Sequence, residues 1–415
     1  MTTEPLAPVA PAERVDTIDI LRGLALFGIL AANIRGFAGP AAAYLVPERF
    51  WPALHDRLGQ ALIDTFVQGK FLAIFAFLFG VGFAVQFERA QGRRLFGLRY
   101  AWRLLILMAF GLVHGLLIWF GDILLMYGFT GLFLLFFHKR KDKTLLVWAV
   151  LGFFLPMALM SLLFVAIQAG MPAPDMPMPS TAQIAQMAST YANGTWSEIH
   201  AQRMRDSVSY NWNYLPFIFW YILALFLFGA LAWRRRLLQP APESLPRYRR
   251  MMTWALLVGV TGSIAGTVLH WTFDIPMMPT NGIAMLTAVI QFVASPALSV
   301  GYILLVVVLC NDPVWKARLQ RFGAVGRTAL TNYLLQSVIG TLIFYNYGLG
   351  LLGQLGPALL LPLTIVIFAA QVWLSVWWVK RFRFGPVEWL WRSLTYGRVL
   401  PLGREAAVAA APSEA

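Results

Sequence analysis

Long apolar runs separated by short, mostly basic connections set the pattern of this chain. A backbone amide left unpaired in lipid is too costly for open structure, so an apolar run of roughly 20 residues is expected to cross a bilayer as a helix. About ten runs reach that length. They are Ile18 to Phe37, Phe71 to Phe87, Trp102 to Phe120, Asp122 to Phe137, Leu145 to Ala169, Tyr214 to Trp233, Met251 to Trp271, Ile283 to Leu309, Thr328 to Tyr347 and Ala358 to Val379. The predicted fold class is all-α, a polytopic membrane helix bundle in which residues 14–400 form a single transmembrane domain.

The connections alternate in charge. Arg89, Arg93, Arg94, Arg99 and Arg103 precede the third run, Lys139, Arg140, Lys141 and Lys143 follow the fourth, and Arg234, Arg235, Arg236, Arg247, Arg249 and Arg250 follow the sixth. Lys316, Arg318, Arg321 and Arg327 continue the series, whereas the opposite connections hold only Arg49, Arg57, Arg203 and Arg205. Cytoplasmic loops collect Lys and Arg, so the basic set is read as cytoplasmic, and an even number of crossings puts both termini inside.

One long external connection, Gly170 to Asn213, opens with a Pro- and Met-rich stretch and continues polar and mildly amphipathic, which predicts a cap with short interfacial helices. Within it Asn193-Gly-Thr195 matches a glycosylation sequon, a three-residue pattern too weak to carry weight. Residues 1–13 and 401–415 carry no long apolar run and are predicted to be disordered cytoplasmic tails.

Composition agrees with a membrane solvent. Of 415 residues 59% are hydrophobic and 13% charged, and the mean hydropathy is +0.65, outside the range of soluble domains. The net charge of +14 sits in short loops rather than on a soluble face, so the lipid bilayer, not nucleic acid, is the expected partner. Cys310 is the single cysteine, which excludes an intramolecular disulfide and cysteine-rich metal sites. The five histidines lack paired ligand spacing, so no metal site is expected, and neither a Walker loop nor a hydrolase elbow occurs. Nothing in the sequence specifies an oligomeric state.

In so apolar a chain, polar side chains inside the runs carry the most information, because lipid disfavours them unless they face protein or water. In the first run Asp19 and Arg22 are three apart, and Asn33 returns to within roughly 20° of the face of Arg22. That stripe reads either as a site edge or as a local ion pair plus an interhelical amide bond. In the third run His114 stands eight residues before Asp122, a separation of about 12 Å along an ideal helix axis and roughly 80° in azimuth. Direct contact therefore requires a break near Gly121. Without one, a water or a third residue is the alternative link. His114 reads either as a general base with Asp122 as its orienting or polar partner, or as a packed histidine bonded to a neighbouring helix. Thr328, Asn332 and Gln336, each four apart, form one polar face for helix packing or for substrate. Lys70, at the external start of the second run, either snorkels to the interface or lines a site, and Gly69, Gly80 and Gly82 allow close approach of a backbone or ligand.

Five segments carry a resemblance. They are Ile18 to Leu30 with Asn33; Lys70-Phe71 with Leu78 to Gly82; Gly111 to Asp122 with Ile123, Leu124 and Tyr127; Gly326 to Tyr333 with Gln336-Ser337; and Gly385 to Arg392 with Leu394 to Gly397. Together they resemble the YeiB-like family of bacterial inner-membrane proteins, a domain of unknown function. The opening Asp-x-x-Arg-Gly helix is in turn similar to a broader superfamily of transmembrane acyltransferases, including polysaccharide O-acetyltransferases and heparan glucosaminide N-acetyltransferase. That resemblance implies a cytoplasmic acyl-CoA-like donor as co-substrate, no permanently bound cofactor, and an envelope glycan or lipid acceptor. It also implies a catalytic membrane histidine, a role His114 could fill. Glu388 and Arg392, four apart, read as a pair on an interfacial helix.

The leading expectation is acyl transfer to an envelope hydroxyl or amine at the bacterial inner membrane. His114 and Asp122 would be catalytic, with Arg22, Asn33, Lys70, Asn332 and Gln336 as substrate contacts. A small-solute transporter or exporter is the alternative, and a non-catalytic membrane partner or sensor a third. An arginine-rich cytoplasmic face suits a polyanionic donor, but the positive-inside rule produces it without any ligand.

Overall fold

A computed structural model describes residues 15–44, 46–90, 95–172, 179–273, 275 and 279–403. The expected tail at residues 1–13, the end of the expected tail beyond 403, and the basic residues Arg93 and Arg94 lie outside them. Residues 401–403 are tied down: Arg383 donates its backbone N–H to Leu402 O at 3.0 Å, and Phe382 bridges to Gly403.

The apolar runs fold as helices. Among the described residues seven helical segments are long and apolar enough to cross a membrane: Asp16–Ala38, Leu54–Arg89, Phe96–Ile118, Asp142–Gln168, Pro242–Phe273, Gly282–Leu309 and Pro357–Arg381. Three shorter apolar helices, Leu124–Phe136, Ile218–Arg234 and Ala329–Phe344, occupy the remaining predicted runs. The elements used below are α1 (Asp16–Ala38), α2 (Leu54–Phe66), α3 (Lys70–Arg89), α4 (Phe96–Val113), α5 (Leu124–Phe133), α6 (Asp142–Gln168) and α7 (Thr181–Asn193). They continue with α8 (Trp196–Arg234), α9 (Leu245–Phe273), α10 (Gly282–Leu309), α11 (Pro313–Arg327), α12 (Ala329–Phe344), α13 (Pro357–Arg381) and α14 (Pro386–Tyr396).

The bundle is organised around α1, which packs on α3, α10, α11, α12 and α13. Outer helices bury one stripe only. On α6 the buried residues are Leu145, Ala149 and Gly152, spaced to face α8, while Leu151, Phe154, Leu162 and Val165 are exposed. Leucine and phenylalanine displayed this way require an apolar solvent.

Two crossings are set by reciprocal glycines. A Cβ on Gly23 of α1 would strike the Phe322 carbonyl of α11, and one on Gly326 of α11 would strike the Asp19 carbonyl of α1. Gly80 of α3 and Gly229 of α8 meet the Phe226 and Phe77 carbonyls in the same way. Small residues on both sides let backbones approach where lipid supplies no hydrophobic drive between helices. Gly80→Ala forces its methyl onto backbone and is expected to destabilise the bundle by about 1–3 kcal/mol, read as a lower melting temperature in detergent; an unchanged melt would refute the crossing.

From residue 179 the long connection folds as a helical cap, while residues 173–178 of its Pro- and Met-rich opening lie outside the described residues. Ser180 with Gln183, and Thr195 with Glu198, form capping boxes that start α7 and α8. Thr195, the last residue of the sequon-like triplet, thus has a local structural role, and its N–H and hydroxyl hold the Glu198 carboxyl below its usual range. α8 continues unbroken from this cap into the bundle.

Candidate active site

The third apolar run does not end as a regular α-helix. After Val113 the chain takes a π-helical turn over His114–Ile118, then runs extended at Trp119 before α5 begins at Leu124. A π-turn shifts the following residues around the axis, and such turns are frequent at functional sites. Here the wider turn and the break together bring His114 Nδ1 to 2.8 Å from Asp122 Oδ1. The roughly 12 Å expected for an ideal helix is thereby corrected: the break falls at Trp119 to Ile123 rather than at Gly121 alone.

Asp122 is held by both oxygens. Its Oδ2 accepts the Leu125 N–H at 2.8 Å, capping the start of α5, while Oδ1 faces the imidazole. On the other side of the ring, His114 Nε2 lies 2.8 Å from Ser337 Oγ on α12. His114 is 0% and Ser337 1% exposed. The Tyr333 ring is centred 5.2 Å from the imidazole, and Trp119, whose Nε1 donates to Gly36 O at 3.1 Å, closes a third side. Gly111 and Gly115 leave room for Asp122: a Cβ on Gly111 would lie 2.8 Å from Asp122 Oδ2, and one on Gly115 3.3 Å from Asp122 Cβ.

A helix break strands carbonyls, and these are answered from the cap. Arg203, fully buried on α8, donates from Nε to Leu116 O at 3.0 Å and from Nη1 to Ile118 O at 3.2 Å. Neither Ser337 nor Arg203 stands out as a site residue in the sequence. Ser337 adjoins Gln336 but points off the Asn332–Gln336 stripe, and Arg203 reads as one of few external arginines.

Approaching from the basic end of the bundle is a cavity of about 520 Å³. Its lining includes eight arginines, at positions 22, 89, 99, 103, 327, 383, 392 and 398, against two carboxylates, Asp19 and Glu388. Arg22 ion-pairs with Asp19 at 3.3 Å, and Arg103 lies 3.7 Å from the Trp391 ring centre. Gly82 also lines the cavity and leaves space beside Arg22. Deeper in, the walls become apolar and aromatic, with Leu104, Leu107, Ile123, Leu124, Tyr127 and Tyr333. Tyr333 therefore belongs both to the cavity wall and to the surroundings of His114.

The remaining candidates fall elsewhere. Asn332 donates to Thr328 O, Thr328 Oγ1 and Ser375 Oγ, and Gln336 to Gln371 Oε1 and Leu26 O, so both amides knit α12 to its neighbours and neither lines the cavity. Asn33 is half-buried on α1. Lys70 does not snorkel: at 2% exposure its Nζ folds back to Asp64 O at 2.7 Å, because left-handed Gly69 (φ 78°) turns the chain sharply between α2 and α3. Beside it Arg35 pairs with Asp64 at 3.4 Å, and Gln60 bonds both oxygens of Asp64. Glu388 caps α12, accepting from Leu330 N–H, Thr331 N–H and Thr331 Oγ1. Burial nevertheless pushes its carboxyl above the usual range, against the lowering effect of those bonds.

A family model described as "Protein of unknown function (DUF418)" matches residues 232–398. The chain is 36% identical over 422 residues to the protein YxaH of Bacillus subtilis, covering 97% of this chain and 99% of that one. It is 33% identical to YeiB of Escherichia coli, covering 92% and 96% of the two chains. A 39.9 kDa protein of Bacillus acidopullulyticus is 28% identical over 95% and 97%. No solved structure matches. At this identity and near-complete coverage, the chain belongs to the YeiB-like DUF418 family.

Proposed function

We propose that this chain is a membrane acyltransferase of the bacterial inner membrane that passes an acyl group from a cytoplasmic acyl-CoA-like donor to an envelope hydroxyl or amine. In this reading the ten apolar helices cross the bilayer and both termini, with the arginine-rich end, face the cytoplasm. The observation that carries it is the cavity, which joins a mouth of eight arginines to an aromatic end beside His114. The positive-inside rule places arginines on a face; it does not gather them around a cavity of ligand size. Guanidinium groups suit the phosphates of a nucleotide-bearing donor, and the deeper apolar walls suit its uncharged arm and acyl chain. Behind Tyr333, and not itself in the lining, lies a histidine oriented by a carboxylate, the pairing that general base catalysis needs.

Native mass spectrometry of the protein in nanodiscs with acetyl-CoA and longer acyl-CoAs tests the reading. Binding is expected, weakened about tenfold or more by Arg22→Ala, the scale of one charge-assisted phosphate contact. No binding by any of these donors would remove the proposal and favour solute transport, to be followed by flux into proteoliposomes.

A further inference from the structure

Resting on that reading, we propose that Ser337 is the nucleophile, so that the acyl group is first transferred from the donor to Ser337 Oγ and only then to the acceptor. The geometry is that of a nucleophile, a base and an orienting carboxylate in series. Asp122 Oδ1, Oδ2 bonded to the Leu125 N–H, lies 2.8 Å from His114 Nδ1, and His114 Nε2 lies 2.8 Å from Ser337 Oγ. With both carboxylate oxygens accepting, the network assigns the imidazole proton to Nδ1 and leaves the lone pair of Nε2 toward the serine. Among the described residues Ser337 Oγ makes no other hydrogen bond, so its proton has one acceptor, the base itself. The hydroxyl of a buried membrane serine ordinarily turns to a carbonyl of its own helix, as Thr364 does to Leu360 O. Ser337 instead reaches across to α4's continuation.

Direct transfer to an acceptor would need Nε2, and Ser337 occupies it. Tyr333, one turn earlier on α12, lines the donor cavity and lies about 6 Å along the axis from Ser337. In this proposal the Tyr333 ring, whose hydroxyl donates to Gly121 O at 3.4 Å, turns aside to open the cavity onto the serine. In the first step Oγ attacks the thioester carbonyl, the O–C bond forms and the C–S bond breaks. His114 Nε2 takes the hydroxyl proton and passes it to the departing thiolate, leaving acyl-Ser337 and free CoA. In the second step the acceptor hydroxyl or amine attacks the ester, its proton passes to Nε2, and Oγ leaves as the restored serine hydroxyl with that proton.

Full-length protein in nanodiscs, mixed with acetyl-CoA and longer acyl-CoAs without acceptor, decides the matter by intact mass, peptide mapping and thiol release. The expected result is a burst of CoA equal to the protein, with one acyl group on the α12 peptide at Ser337. Ser337→Ala should retain donor binding, form no adduct and release CoA at least about a hundredfold more slowly. Ser337→Cys should recover an adduct as a thioester, which a merely structural serine would not produce. CoA release without an adduct, an adduct mapping to another residue, or Ser337→Ala turning over within tenfold of the parent would overturn the serine step and leave acyl transfer standing. Neither binding nor CoA release with a folded protein would instead sink the acyl-transfer reading, and the serine step with it.

Discussion

In the proposed acyl transfer, Asp122→Asn is expected to lower CoA release by about three to four orders of magnitude while leaving acyl-CoA binding and the melting temperature close to the parent's. An amide keeps the shape of the carboxylate and can still accept the Leu125 N–H through its oxygen, so α5 keeps its cap. Its NH₂ then faces His114 Nδ1, where two donors cannot share a bond. The imidazole answers by moving its proton to Nε2, toward Ser337, and the base is lost. The fold-change corresponds to about 4–5.5 kcal/mol of transition-state stabilisation. His114→Ala is a poorer probe, because it leaves the buried Asp122 carboxylate without its partner and disturbs folding as well as chemistry. Turnover of Asp122→Asn within tenfold of the parent would take the carboxylate out of the mechanism.

Arg203→Met should be the most destabilising change in the cap. It strands Leu116 O and Ile118 O, two partly buried carbonyls that the helix break has already deprived of their ladder partners. Each unsatisfied acceptor costs about 1–3 kcal/mol, so a loss of about 3–5 kcal/mol and a melting temperature lower by on the order of 5–10 °C are expected. Arg205 provides the control. It lies two residues on and bonds Gln202 Oε1 at 2.7 Å, with no carbonyl of the break among its described partners, and Arg205→Met should stay within about 0.5 kcal/mol. Equal melts for the two variants would refute the bracing role.

The helices were legible because a lipid solvent writes them plainly: an apolar run has one way to satisfy its amides there. The site was legible only in its parts. His114 and Asp122 are visible as polar residues in apolar sequence, but helical arithmetic sets them apart, since it assumes 3.6 residues per turn where the chain adopts a π-turn and then breaks. Gly115 and Gly121 mark the region without specifying the geometry. Ser337 and Arg203 join the site from α12 and the cap, contacts far apart in sequence that no local pattern encodes. Lys70 shows the converse, an interface position by hydropathy that a left-handed glycine folds into the interior. Glu388 was read against its neighbour Arg392 by spacing, yet its three bonds run to the first turn of α12.

The reciprocal contact of Gly23 and Gly326 also sets a clock for biogenesis. At ribosomal rates of about 5–20 residues per second, the second glycine is made some 15 to 60 seconds after the first. Throughout that interval α1, the helix on which the bundle is organised, has entered without the backbone it will finally touch. Its earlier neighbour α3 is made within seconds, so α1 can meet α3 before α11 exists.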